Sequence, residues 1–269
     1  MTRPRHLVTV QNTERNSHQR LEDTQGAIVQ AQGWLLSRQD PDEGYWVGEL
    51  QADTTLTSDY VMLRALLGKL SDNIKLKATH YLEIEQLSDG GWNTYKGGPS
   101  EINATAKAYF ALKLAGVQES HPTLIHAREA VRHLGGLERA NVFTKIYLAL
   151  NGQIPWDHIP SMPVELIFAP NWLYINIYEV SYWTRTIIVP LFIIAAIKAT
   201  VQTLPPGSLD DLYLKSPSKT DWFHGGNQSR TFLRTLFLMG DNVLKFLEKH
   251  QISEIRTRAI QKAEEWIQK

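Results

Sequence analysis

Any chemistry in this chain has to come from carboxylates, imidazoles, amines, hydroxyls or aromatic faces, because its 269 residues include no Cys. Thiol nucleophiles, disulfides, Cys zinc sites and iron–sulfur clusters are excluded together. Acidic residues cluster twice, as Asp40, Asp42 and Glu43 in DPDE and as Asp210 with Asp211 after PPGS. The first group lies in a loop between Gln39 and Gly44, where carboxylates are ordinarily solvated. The second reads as the caps of a helical turn, since short carboxylates accept from the orphan N–H groups there. His121, His126 and His133 are five and seven residues apart, so none makes the i, i+4 pair of a helical zinc site. Neither a metal nor a cofactor is expected.

The elements that would position such groups are helical. Ala27, Ile28, Ala31, Trp34 and Leu35 share one face at helical spacing, and strand-like alternation is scarce. Further helices are expected over 58–69, 76–85, 102–115, 123–133, 143–150, 175–202 with a break near Pro190, and 229–250. Short turns rich in Gly, Pro, Asp and Asn separate them. The fold class is all-α.

Two stretches repeat. WLLSRQDPDEGYW (34–46) and YLEIEQLSDGGW (81–92) share an aromatic, an aliphatic, three residues, Gln, a polar loop, Gly, one residue and Trp, with Gln39 and Gln86 47 residues apart. That period holds a pair of helices, and stacked pairs bury a face that one pair leaves open. Gln39 and Gln86 are expected to donate to the last carbonyls of a helix or to bridge to the start of the next one. Gly44 and Gly90 permit a turn that a Cβ would hinder, and Trp46 and Trp92 lie over the Gln. These residues are braces, not catalysts.

Lys plus Arg and Asp plus Glu each number 28, leaving zero formal charge and no basic stripe for nucleic acid. The polar start lacks the apolar core of a signal peptide, so a cytoplasmic location is expected. The longest apolar run, 187–197, has 11 residues, against about 20 for a spanning helix.

The paired Gln-loop-Gly-x-Trp segments resemble the QW motifs of triterpene cyclases. MPVELIFAPNWLYINIYEVSYWTRTIIVPL (162–191), with GQIPWDHIPSMP before it and Asp211–Tyr213 after it, resembles the first half of a squalene-hopene cyclase. The resemblance implies the N-terminal of two α/α barrels and a cavity lined by aromatic residues. It also implies a nonpolar surface that sits monotopically on a membrane. The family reaction is an isomerisation: an Asp of a D-x-D-D motif protonates squalene, and aromatic faces steer the cation to a hopanoid. Carried over residue by residue, Trp183 lines the cavity, Val180 and Ile188 form an entrance constriction, and Tyr213 stands near the domain boundary. Each of the four also reads as core packing on its own. Squalene or a related isoprenoid, the membrane surface, a C-terminal barrel and a possible second copy are the implied partners.

The sequence departs from that pattern. It has no D-x-D-D, and it carries Lys107 and Asn141 where related cyclases tend to have an acidic residue and an Arg. Residues 1–25 read as a polar lead, 26–250 as the barrel, and 251–269 as the first helix of a second, catalytic barrel. On that last helix Ile255, Ala259, Ile260, Ala263, Trp266 and Ile267 share a face that nothing following covers. The expectation is therefore an inactive fragment prone to associate. The alternatives are a noncatalytic isoprenoid-binding or membrane-lipid-binding module, or the partner subunit of a separate barrel. A prenyltransferase β-like subunit would need a Cys-containing zinc site, and a glycosidase barrel would need two facing carboxylates.

Overall fold

A computed structural model describes residues 5–48, 51–173, 176–215, 239–245 and 253–268, and no strand occurs among them. The chain divides into two compact units, Met1–Gln51 and Ala52–Lys269.

In the first unit α1 runs unbroken over Arg5–Leu36, so the polar lead and the first amphipathic helix are one rod. The loop after it folds back. Trp46 donates Nε1–H to the Leu35 carbonyl at 2.7 Å, and Gln39 donates Nε2–H to the Gly44 carbonyl at 2.6 Å.

Among the described residues the second unit is all-helical, in keeping with an α/α barrel. Its helices are α2 (Thr54–Leu66), α3 (Asp72–Ile84), α4 (Ile102–Ala115), α5 (Pro122–His133), α6 (Val142–Leu150), α7 (Tyr182–Ile197) and α8 (Ser253–Ile267). The rod at its centre is α4, buried continuously from Ala104 to Leu112, as a helix apolar on nearly every side must be. Alanines at 104, 106, 108 and 111 let neighbouring backbones approach. The Glu101 carboxylate caps its start, accepting from the backbone N–H of Asn103 at 2.7 Å and of Ala104 at 2.9 Å. Gly116 closes its end at φ 90°, the left-handed conformation in which Gly avoids a steric penalty. Val61, Met62, Leu82, Trp92, Leu124 and Val131 pack around this rod in the main core.

One part-buried ion pair ties α2 to α4. Lys107 Nζ lies 2.9 Å from Asp59 Oδ2 and 4.6 Å from the centre of the Tyr147 ring on α6. Burial pushes the Asp59 carboxyl above its usual range and Lys107 opposes that shift, while Asp59 Oδ1 is buried without a hydrogen bond. The pair is thus only partly compensated.

Between α3 and α4 lies the second repeat corner. Trp92 is fully buried and donates Nε1–H to the Leu82 carbonyl in the last turn of α3 at 2.9 Å. Gln86 donates Nε2–H to the Gly90 carbonyl at 2.8 Å and to the Thr123 carbonyl in the first turn of α5 at 2.9 Å. Neither role expected for the Gln is met as stated: Gln86 bridges to α5, one helix beyond the next. The orphan carbonyl of the preceding helix is met by the indole.

A smaller core joins α7, α8 and the short 3-10 helix Val164–Phe168, with Val164, Ile167, Val189, Phe192, Ala259 and Ala263 buried together. Two expectations are corrected here. The apolar face of the last helix is covered at its middle, where Ala259 and Ala263 are fully buried and Ile260 and Trp266 pack against the same cluster, and stays open at its ends, where Ile255 and Ile267 are 48% and 46% exposed. Nor does α7 break at Pro190, which lies inside the helix. Proline removes one backbone donor and disfavours a helix interior. Here Leu191 packs on the main core and Phe192 on the smaller one, and this packing on both sides holds the rod through the lost bond. The helix expected over 229–250 lies mostly outside the described residues, of which 239–245 are helical.

Two substitution sets test this account. A Cβ at Gly90 (φ +87°) would meet the His126 carbonyl oxygen at 2.5 Å, whereas one at Gly116 (φ +90°) meets open space. In urea unfolding, Gly116→Ala is expected to cost about 1 kcal/mol for its backbone conformation and Gly90→Ala about 2 kcal/mol more; equal losses would contradict the packed corner. Asp59→Ala should cost about 3 kcal/mol by stranding Lys107, and Asp59→Leu combined with Lys107→Met should restore most of it, both read as unfolding free energies.

Candidate functional site

The segment 171–197 is shaped by its polar residues. Asn176 is buried; its Oδ1 accepts from the backbone N–H of Tyr178 at 2.8 Å and of Glu179 at 3.1 Å, and its Nδ2 donates to the Leu173 carbonyl at 2.7 Å. That one side chain fixes the turn leading into α7. Sequence reading passed over Asn176, although an Asn two residues before a Tyr-Glu turn is the signal an Asx turn leaves. Ser181 then caps α7, its Oγ accepting from the Thr184 N–H at 3.2 Å.

With the turn set, α7 shows two faces. Val189 and Phe192 are buried in the smaller core, while Trp183 is 80% exposed, Tyr182 66% and Ile187 52%. Upstream of the helix, Trp172 is 83% exposed and Tyr178 44%. The rings are presented, not packed.

Of the four residues assigned to substrate by resemblance, three lie on this segment. Val180 is half-buried in the turn, Trp183 stands on the exposed side, and Ile188 is half-buried against the smaller core. Tyr213 lies elsewhere: it is buried in the main core cluster and is not brought into the cluster that holds Ile188.

The strap carrying Tyr213 is clamped from α4 and α5. Arg132 Nη1 donates to the carbonyls of Asp211 at 3.1 Å and of Tyr213 at 2.8 Å. Tyr109 donates its O–H to Asp211 Oδ2 at 2.7 Å, and the Arg128 guanidinium stands 3.6 Å from that oxygen. Lys113 Nζ donates to the Ser208 carbonyl at 2.6 Å, and Glu138 Oε1 accepts from the N–H groups of Leu214 and Lys215, each at 3.0 Å. Burial, then the neighbouring Asp210 and Glu138 charges, raises the Tyr213 phenol above its ordinary value and keeps it neutral. Burial, reinforced by Asp211, does the same to Tyr109. Asp210 and Asp211 are not caps: the turn they open has Leu209 before it and no side-chain cap. The Asp211 carboxylate instead takes the Tyr109 hydroxyl, a long-range contact that spacing cannot reveal. Asp40 accepts from the N–H groups of Asp42 and Glu43 at 3.0 and 2.8 Å, as a loop carboxylate does.

The two departures from the expected charges also have local partners. Lys107 is held by Asp59. Asn141 caps α6 by accepting from the Thr144 N–H at 2.9 Å, and its own N–H donates to Asn103 Oδ1 at 2.7 Å. These joints lie wholly within the second unit.

Among the described residues no helix is long and apolar enough to cross a membrane. Residues 28–269 match the family model for the squalene-hopene cyclase N-terminal domain. A squalene–hopene cyclase of Zymomonas mobilis is 36% identical over 254 residues, covering 94% of this chain and 38% of the relative. One from Bradyrhizobium diazoefficiens is 35% identical over 240 residues (89% of this chain, 36% of the relative). The dammaradiene synthase of the fern Dryopteris crassirhizoma is 34% identical over 244 residues, covering 90% and 35%. The chain therefore spans little more than a third of the length of these relatives. With the repeat corners, the helical fold and the NIYEVSYWTR turn in place, the chain belongs to the squalene-hopene cyclase N-terminal domain family.

Proposed function

We propose that this domain supplies part of the aromatic wall and the membrane-facing surface of an enzyme that cyclises squalene or a related linear isoprenoid. The proton that starts the reaction comes, in this reading, from a D-x-D-D carboxyl outside this sequence, which contains no such motif. The observation that carries the reading is the exposure of Trp172, Tyr178, Tyr182, Trp183 and Ile187 on the segment that also carries the family turn. Exposed rings meet both needs of such an enzyme. Their apolar area favours hydrocarbon over water at about 25 cal/mol per Å², and their faces attract a developing cation. A peripheral position on the bilayer follows from the same exposed rings, with no spanning helix required.

Two measurements test this. Incubated with squalene in detergent micelles, the chain is expected to yield no hopene or hopanol by gas chromatography, and a cyclic product would overturn the assignment of the acid to another segment. In flotation with phosphatidylcholine vesicles the chain should rise with the lipid. The pair Trp172→Ala and Trp183→Ala should weaken partition about tenfold or more, the value of losing two interfacial rings. A chain that stays in the aqueous fraction, or a double variant that floats equally well, would count against the membrane surface.

A further inference from the structure

The Asn176 amide has one end that donates and one that accepts, and each grips a different piece of chain. Nδ2 donates to the Leu173 carbonyl at 2.7 Å and reaches the Asn171 carbonyl at 3.5 Å, so the carbonyls of the residues on either side of Trp172 both face it. Oδ1 accepts from the backbone N–H of Tyr178 itself at 2.8 Å and of Glu179 at 3.1 Å. The side chain that makes these bonds is buried, whereas the rings of Trp172 and Tyr178 are open.

Every one of these bonds goes to main chain, so what they fix is the path of the backbone. An Asx turn needs only the accepting end, which closes on N–H groups two and three residues ahead. The donating end reaches backward instead. It has no part in starting α7, whose first turn is capped by Ser181, and its bonds act on the stretch that carries Trp172.

We infer that Asn176 is a positioning residue for the rings of Trp172 and Tyr178, its donating end placing the first and its accepting end the second. This role rests on the reading of these rings as a surface for hydrocarbon or lipid. A side chain that is ordered before binding loses less freedom on binding, which is worth severalfold in affinity for each one. Holding two open rings at one joint therefore favours an apolar ligand without any contact between that ligand and Asn176.

The two ends can be separated. Asn176→Asp keeps an acceptor for Tyr178 and Glu179 and removes the donor to Leu173, whereas Asn176→Ala removes both. Fluorine NMR on chains carrying 5-fluorotryptophan or 3-fluorotyrosine reads each ring, the lines being assigned with Trp172→Phe and Tyr178→Phe. In Asn176→Asp the Trp172 line is expected to move and sharpen while the Tyr178 line stays; in Asn176→Ala both should move. Trp92, fully buried, is the control, and its line should hold in both variants. Unmoved Trp172 and Tyr178 lines in Asn176→Ala would refute the role. So would equal movement of both in Asn176→Asp, or a Trp92 line that moves with them, either of which makes Asn176 a general fold contact. Flotation with phosphatidylcholine vesicles reads the consequence. Asn176→Ala, which keeps every ring, should partition at least about threefold more weakly than the unsubstituted chain, with Asn176→Asp between the two. Equal partition of all three after the lines have moved would sink the proposal. If the unsubstituted chain itself stays in the aqueous fraction, the membrane reading fails, while the fluorine lines still decide whether Asn176 places the rings.

Discussion

A helix that stops leaves its last carbonyls without donors, and the way this chain answers that demand shapes much of what surrounds it. At both repeat corners an indole N–H reaches back to the last turn of the helix it follows, at 2.7 Å on Leu35 and 2.9 Å on Leu82. The ring that does so is then committed to lie across the corner, and Gly at positive φ, 74° at Gly44 and 87° at Gly90, lets the loop return beneath it. The Gln amide closes the loop and, where a further helix arrives, grips its first turn. A single hydrogen-bonding need thus fixes a turn and a ring, and at the second corner the Gln amide also holds the entry of α5.

The same economy governs α7. Its inward residues make a small core with α8 and the turn at Val164–Phe168, and its outward residues include the exposed rings of Tyr182 and Trp183. Asn176 decides which residues fall on which side, since its hydrogen bonds set where the helix begins. Burying one face is what allows the other to stay rigid while exposed, a requirement for any surface that must receive a flexible hydrocarbon at low entropic cost.

The all-helical class and the bounds of α4 were legible in the sequence because each rests on local spacing. Other features were not. The Pro190 break was a sound inference from backbone chemistry, reversed by packing on two cores at once. The last helix seemed bare because its partners, α7 and Val164–Phe168, lie tens of residues upstream, where no periodicity connects them. Asp211 and Tyr109, 102 residues apart, meet only through the tertiary fold. Trp183 and Tyr213 came from resemblance together, yet one stands in the open and the other in the main core.

The alanines along α4 have a consequence for how this lineage can drift. Ala104, Ala106, Ala108 and Ala111 are at most 1% exposed, so the surrounding rods are spaced to methyl width. A larger residue at any of them would wedge its neighbours apart, at roughly 1–3 kcal/mol each. Evolutionary tinkering with this unit is thereby channelled away from α4, toward exposed positions such as Tyr182 and Trp183.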